Sequence, residues 1–209
     1  MNAIVAGSGL VGGFLLCELT ARGHSVTALV RKPLAFQHPN LVERKVDFEH
    51  LGAADLPEAG HVYCAVGTTI RKAGSQEAFR RVDYDAPLAL ARWSLERGAK
   101  QFSLVSSVGA NSASSNFYLR VKGELEAALR ALPFEGLHVF RPGVLLGPRQ
   151  ESRPGEVIGK ALSVALGFVL IGGLSKYRAM PADVLARAIA NLSASGAHVY
   201  HYNEIVKHA

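Results

Sequence analysis

The opening stretch of the chain leaves few folds open to it. Asn2 to Ala6 reads as a short strand, and Gly7-Ser8-Gly9-Leu10-Val11-Gly12 follows at once. An apolar, helical run from Phe14 to Ala21 comes next, then a second strand from Ser25 to Val30. Strand, glycine turn, helix and strand in that order form the first half of a dinucleotide-binding unit. Gly7 permits the tight turn, Gly9 lets the backbone approach a pyrophosphate, and Gly12 lets the helix pack closely on the sheet. The amides that open the helix then face the phosphates, where the helix dipole favours negative charge. Glycines at this spacing are weak evidence alone; the strand before them and the helix after them supply the context.

The residues past the second strand bear on the ligand. An NAD-selective site places an acidic residue about 20 residues beyond the glycines, to accept from the ribose hydroxyls. Here Arg31 and Lys32 stand instead, a guanidinium fork and an ammonium that match a 2′-phosphate. The pair favours NADP(H) over NAD(H); the competing reading is a solvated turn before Pro33.

Further strands are predicted over Leu41–Val46, His61–Val66, Gln101–Ser106, Leu137–Phe140 and His198–Tyr202. Helices are predicted over Gln76–Arg97, kinked or broken at Pro87 and closed by Gly98, over Ser115–Leu132 and over Pro181–Leu192. His61 to Val66 is apolar throughout, as in a parallel sheet covered on both faces. Strands and helices alternate without repeat or linker. The fold class is therefore α/β: a doubly wound, Rossmann-type parallel sheet in three layers, with a small C-terminal extension on the substrate side. Residues 1–209 read as one domain.

The chain is 49% hydrophobic and 19% charged, enough to fill a globular core. Its net charge of +6 comes from dispersed residues, so the basic stripe of a nucleic-acid binder is lacking and an anionic ligand explains the bias more simply. Cys17 and Cys64 lie in apolar runs and read as buried thiols of a reducing cytoplasm. No CxxC or histidine cluster offers a metal site, and most of the eight scattered histidines read as solvated or locally satisfied. The chain starts on a core strand, without a secretory signal pattern. Ala161 to Leu174 is uncharged but too short to span a bilayer. It reads as a buried helix or pocket wall, with an interfacial membrane patch as the alternative.

The chemistry enters after the fifth strand. Ser106-Ser107 ends that strand on the same sheet edge as the glycine turn, and Tyr118 and Lys122 follow one helical turn apart. Positions i and i+4 share a face, and a nearby ammonium stabilises a phenolate. Tyr118 is thereby a candidate to exchange a proton with a substrate oxygen, with a strand-end serine holding that oxygen. Tyr and Lys at this spacing also occur in many solvated helices; the glycine turn and the serines give the pair its weight.

These residues carry a resemblance. Gly7–Gly12, Ser106-Ser107, Tyr118-Leu119-Arg120-Val121-Lys122 and Arg141-Pro142-Gly143 resemble the short-chain dehydrogenase/reductase superfamily. Cys64–Thr69, Gly74-Ser75-Gln76-Glu77-Ala78-Phe79, Val82-Asp83-Tyr84-Asp85 and Ser114-Ser115-Asn116-Phe117-Tyr118 are similar to its small atypical branch, that of the oxidoreductase Tat-interactive protein and of bacterial proteins labelled nucleoside-diphosphate-sugar epimerases. The resemblance implies NADP(H) held by Gly7, Ser8, Gly9, Leu10, Val11, Gly12, Arg31 and Lys32, with Asp47 and Phe48 near the adenine. It implies that Cys64, Ala65, Val66 and Gly67 run under the cofactor, that Arg141, Pro142 and Gly143 border the nicotinamide, and that Tyr118 and Lys122 touch it. It implies Ser107, Tyr118 and Lys122 as the catalytic trio, with Ser106 as the substitute for Ser107. Many members carry an asparagine that supports the lysine through water. The nearest counterpart here is Asp83, a departure that puts that relay in doubt.

Three functions are open on these grounds. The first is an NADP-dependent oxidoreductase acting on a small carbonyl or alcohol. Arg149, Arg153, Lys176 and Arg178 hint that its substrate is anionic, against a solvated rim. The second is an NADPH-binding regulatory or sensor protein without turnover. The third is a nucleoside-diphosphate-sugar epimerase, for which the short stretch after Gly143 leaves little room. Oligomeric state is not legible.

Overall fold

The computed structural model describes residues 1–48, 50–51, 56–148 and 172–209. Its strands are β1 (Asn2–Ala6), β2 (Ser25–Val30), β3 (Leu41–Lys45), β4 (His61–Cys64), β5 (Gln101–Val105), β6 (Gly136–Phe140), the two-residue β7 (Leu145–Leu146) and β8 (Met180–Pro181), and β9 (Gly196–Tyr200). Its helices are α1 (Leu10–Ala21), α2 (Ile70–Ala73), α3 (Gln76–Arg80), α4 (Ala86–Glu96), α5 (Phe117–Arg130), α6 (Ala182–Asn191) and α7 (Tyr202–Lys207).

Seven strands form one parallel sheet in the order β3-β2-β1-β4-β5-β6-β9, and β7 and β8 make a separate parallel pair. The chain builds outward from β1 to β3, then crosses back to β4. This reversal opens a crevice past the carboxyl ends of β1 and β4, where ligands of such sheets sit.

Alternation along the strands divides the core between two faces. Ala3 and Val5 of β1 point to one, with Tyr63 and Phe140, against Leu15, Leu16 and Leu19 of α1 and Leu185 and Ile189 of α6. Ile4 and Ala6 point to the other, with Val62, Phe102 and Leu104, against Leu90, Ala91 and Trp93 of α4 and Leu125 and Leu129 of α5. The result is three layers. Each fully buried leucine contributes about 1.5–3 kcal/mol relative to exposure, so the two helical layers hold the sheet ends, and the site on them, in register.

Three expectations need correction. The helix expected over Gln76–Arg97 is α3, a π-helical turn over Arg81–Asp85, and α4. Pro87 sits in the first turn of α4, where its missing N–H is tolerated. Upstream the backbone widens, the Ala86 N–H donating to the Arg81 carbonyl five residues back. The last strand ends at Tyr200 rather than Tyr202, because Glu204 reaches back to accept the His201 N–H at 3.0 Å and starts α7. Cys64 is buried, but Cys17 is exposed on α1, and both are free thiols.

The histidines are not uniformly on the surface. His61 and His138 are buried, with His61 Nε2 2.8 Å from Ser103 Oγ and His138 2.9 Å from Gln101 Oε1 and 3.0 Å from the Tyr200 hydroxyl. Burial, and then a neighbouring imidazole, pushes His61 down to about 3 and His138 to about 4.

Among the described residues no helix is long and apolar enough to cross a membrane. Arg149, Arg153 and residues 161–171 of the uncharged run lie outside the described residues. The end of that run enters a 3-10 helix over Gly172–Tyr177.

Candidate active site

The glycine turn shows why each glycine is needed. Gly7 has φ +95°, and a Cβ on it would come within 2.7 Å of the Ala65 carbonyl oxygen at the end of β4. A Cβ on Gly12 would fall 1.8 Å from the Gly7 carbonyl oxygen, so α1 can approach the turn only without one. A Cβ on Gly9 would meet nothing within 4 Å. That residue faces open crevice and caps α1 with no side-chain acceptor for the helix amides. Unsatisfied amides at the positive end of a twelve-residue helix, beside empty space, fit a pyrophosphate. Ser8 is exposed at the same place, and Leu10, half-buried, packs on Gly147 while Val11 turns into the core.

Arg31 and Lys32 are exposed past the end of β2 and line a cavity of about 240 Å³ with Val30, Pro33, Glu43 and Lys45. Glu43 accepts the Leu34 N–H at 3.0 Å, which anchors the loop carrying the cations. Lys45 is a third cation here that sequence reasoning missed. Its only signal is register, since Val30 pairs with Lys45 across β2 and β3. Asp47 is exposed, 2.9 Å from His50 Nδ1, and Phe48 packs partly into the core on the α4–α5 side.

At the end of β4, Cys64 is buried, and burial pushes its thiol up to about 11. Ala65 and Val66 are half-buried and Gly67 is exposed. Beneath Gly67 lies an ion pair: Lys122 Nζ is 2.7 Å from Asp83 Oδ1, with the two side chains 5% and 1% exposed. Burial works against the ammonium, but Asp83 and then Tyr118 outweigh it and raise the Lys122 pKa above the ordinary lysine value. Asp83 also accepts the Thr68 N–H at 2.8 Å through Oδ2.

Tyr118 stands one turn before Lys122 because Asn116 caps α5, its side chain accepting the Leu119 N–H at 3.2 Å. The tyrosine ring is half-buried, 5.6 Å from that of Phe79. A Cβ on Gly123 would come within 2.2 Å of the Ser112 nitrogen. This glycine, also missed, lets the loop after β5 lie against α5. A glycine inside a helical pattern, which weakens the helix by about 1 kcal/mol relative to alanine, was the available signal.

The two serines differ. Ser106 is buried and donates to Glu126 Oε1 at 2.5 Å. Glu126 also accepts from Arg141, whose Nε lies 3.0 Å from Oε1 and whose Nη2 lies 2.5 Å from Oε2. Arg141 is thus tied to α5. Ser107 is half-buried and donates at 3.3 Å to the Val108 carbonyl. Strand alternation could have separated them: Ser106 continues the Phe102–Leu104 face that α5 covers, and Ser107 faces away. The Pro142 carbonyl accepts the Val108 N–H at 2.9 Å, and Gly143 packs under the Arg178 carbonyl. Lys176 and Arg178 are half-buried, Arg178 lying 5.7 Å over the Tyr202 ring. Among the described residues no group of His, Cys, Asp and Glu could hold a metal ion.

No family model matches the chain. HTATIP2 of Rattus norvegicus is 41% identical over 195 residues, covering 90% of this chain and 78% of its own. The protein fmp52, mitochondrial, of Aspergillus fumigatus is 36% identical over 199 residues, covering 90% and 85%. Among solved structures, the UDP-glucose 4-epimerase of Thermotoga maritima with UDP-glucose superposes with TM-score 0.73 at 17% identity, over 99% of this chain and 81% of that one. Human epimerase family protein SDR39U1 with NADPH gives 0.63 at 23% identity, over 91% and 69%. At those identities the likeness is one of fold. The two sequence relatives go further, and the chain belongs with them to the atypical branch of the short-chain dehydrogenases/reductases.

Proposed function

We propose that the protein is an NADP(H)-dependent oxidoreductase acting on a small carbonyl or alcohol. The observation that carries this reading is the burial of Lys122, one turn from Tyr118 and under the end of β4. A lysine of a solvated helix face would be exposed; this one is 4% exposed. A nicotinamide, when bound, supplies the site with a hydride donor or acceptor. The α1 amides and Gly9 take the pyrophosphate, and Arg31, Lys32 and Lys45 take the 2′-phosphate. SDR39U1, solved with NADPH, has the same fold. The Lys122 ammonium holds the Tyr118 phenol as proton donor or acceptor for the substrate oxygen. Ser107 holds that oxygen, since the Ser106 hydroxyl is committed to Glu126. Arg141 braces α5 against the end of β6 and leaves Pro142 and Gly143 to border the reacting ring. Lys176 and Arg178 favour an anionic substrate. The proposed compartment is the cytoplasm, which suits two free thiols. Because the fmp52 relative is named mitochondrial, fractionation against a mitochondrial marker tests that assignment.

The deciding experiment measures NADPH turnover across a panel of small carbonyls for wild type and Tyr118→Phe. Loss of the proton donor lowers kcat by about 10²–10⁴-fold. Turnover equal to wild type would remove Tyr118 as the acid/base.

A further inference from the structure

We propose that Asp83 is a positioning residue that holds the buried Lys122 ammonium and ties it to the loop under the dinucleotide. The carboxylate is wholly buried and engages one element with each oxygen. Oδ1 lies 2.7 Å from Lys122 Nζ on α5, and Oδ2 accepts the Thr68 N–H at 2.8 Å on the loop after β4. Gly67 closes the arrangement from above: a Cβ there would sit 3.4 Å from Asp83 Oδ1 and 3.8 Å from Lys122 Nζ. The pair therefore lies directly under the Gly67 backbone, the stretch along which the cofactor is proposed to run.

Asp83 reaches this place from the π-helical turn over Arg81–Asp85, a widened turn of a kind concentrated at functional sites. An amide at this position could orient a water for the lysine but could not balance its charge. A carboxylate in direct contact does balance it, and it leaves no room for a water between the two atoms. The other groups acting on the ammonium are the Tyr118 phenol from α5 itself and the Cys64 thiol from β4. Glu126, one turn farther along α5, is engaged by Ser106 and Arg141. Asp83 is thus the carboxylate that keeps Lys122 charged, and through Thr68 any movement of the loop is felt at the lysine.

The kinetic half of this inference rests on the oxidoreductase reading, so the test has a second half that does not. On cofactor-free protein, thermal unfolding is compared for wild type, Asp83→Asn, Lys122→Met and the double variant. Each single change strands a buried polar partner, whereas the double removes both charges. The expected result is a Tm that falls in either single variant and recovers most of the loss in the double. Strictly additive losses would overturn the pairing. Should Asp83→Asn not fold, recovery of folding in the double supports the proposal, and a double that stays unfolded overturns it.

The kinetic half records kcat against pH with NADPH and the best carbonyl of the panel. Without its carboxylate the buried ammonium loses its proton at lower pH. The alkaline limb of Asp83→Asn therefore moves down by about one unit or more, and Asp83→Glu restores part of it. An alkaline limb unmoved in Asp83→Asn would overturn the positioning role and match a neutral water relay. If wild type turns over no substrate, the oxidoreductase reading fails, and the unfolding comparison still decides on Asp83.

Discussion

Alanine substitutions at Gly9 and Gly12 should separate binding from stability within one turn. At Gly9 the backbone (φ −70°, ψ −166°) is extended and open to any L-residue, and no atom lies within 4 Å of an added Cβ. Alanine there restricts the unfolded chain, a gain of about 0.4–1 kcal/mol. It also replaces a favoured helix cap with a poor one, a loss of comparable size at the low end of about 0.5–2 kcal/mol. The two nearly cancel, so Tm stays within about 4 °C of wild type. The methyl, however, enters the space proposed for the pyrophosphate, and NADPH affinity falls at least about tenfold, or 1.4 kcal/mol. Gly12→Ala behaves differently. Its Cβ would stand 1.8 Å from the Gly7 carbonyl oxygen and 2.8 Å from its carbon, both backbone atoms that cannot rotate away. Overpacking of that kind costs about 1–3 kcal/mol, which for a chain of this size lowers Tm by roughly 2–12 °C. Differential scanning fluorimetry without ligand and NADPH fluorescence titration read the two quantities separately. Wild-type NADPH affinity in Gly9→Ala, or a Tm as low as that of Gly12→Ala, would refute the assignment of the open space to the pyrophosphate.

The remaining predictions concern the serines, the phosphate end and acid stability. Ser107→Ala should lower kcat about 10²–10³-fold, as loss of a donor to the reacting oxygen does, with Tm unchanged. Ser106→Ala should instead lower stability by about 1–3 kcal/mol, leaving Glu126 short of a donor, so the opposite assignment of effects in kinetics and melting would exchange the two roles. Arg31→Ala should weaken NADPH binding by about 1.5–3 kcal/mol, the worth of a charged hydrogen bond, and leave NADH binding unaltered; an unchanged ratio of the two affinities would put the 2′-phosphate elsewhere. His61 and His138 are held neutral in the fold, at about 3 and about 4 against 6.5 for a free imidazole. The unfolded chain therefore binds more protons between roughly pH 6.5 and 3, and stability present above that window is lost as pH falls through it. Replacing both with glutamine should flatten this part of the Tm–pH curve, and a slope equal to wild type would count against buried neutral imidazoles.

Much of the fold was legible because its signals are local. β1 and β2 have the bounds expected of them, since a glycine turn and a glycine C-cap punctuate the chain there. The parallel sheet followed from the alternation of apolar strands with helices. Two-residue strands such as β7 and β8 have no periodicity to read, and α7 depends on a reach-back by Glu204 that short aromatic runs disguise as strand. The site divides the same way. Gly7, Gly9 and Gly12 and the Tyr118–Lys122 spacing are patterns within one element, so they could be read. Lys45 beside Arg31, Ser106 on Glu126, and Arg141 on α5 are pairings across elements, set by register and packing. Asp83 was visible only as a departure from a family habit, because an acidic residue in a helical stretch ordinarily reads as a solvated one.

The wide turn over Arg81–Asp85 has a consequence for chain length. It holds one residue more than an α-helical path would need, and deleting any one of the five would let α3 and α4 merge into a single regular helix. Local hydrogen bonding would improve. Because the wide turn absorbs the extra residue, Phe79 before it and Leu90, Ala91 and Trp93 after it would keep their faces, and the change would fall on the turn itself. Asp83 would lose the widened backbone that carries its carboxylate to Lys122. A single-codon deletion here would thus make a better helix and a worse site. Among natural variants of this chain, length in this turn should be held more tightly than the identity of its exposed residues, Arg81 and Asp85.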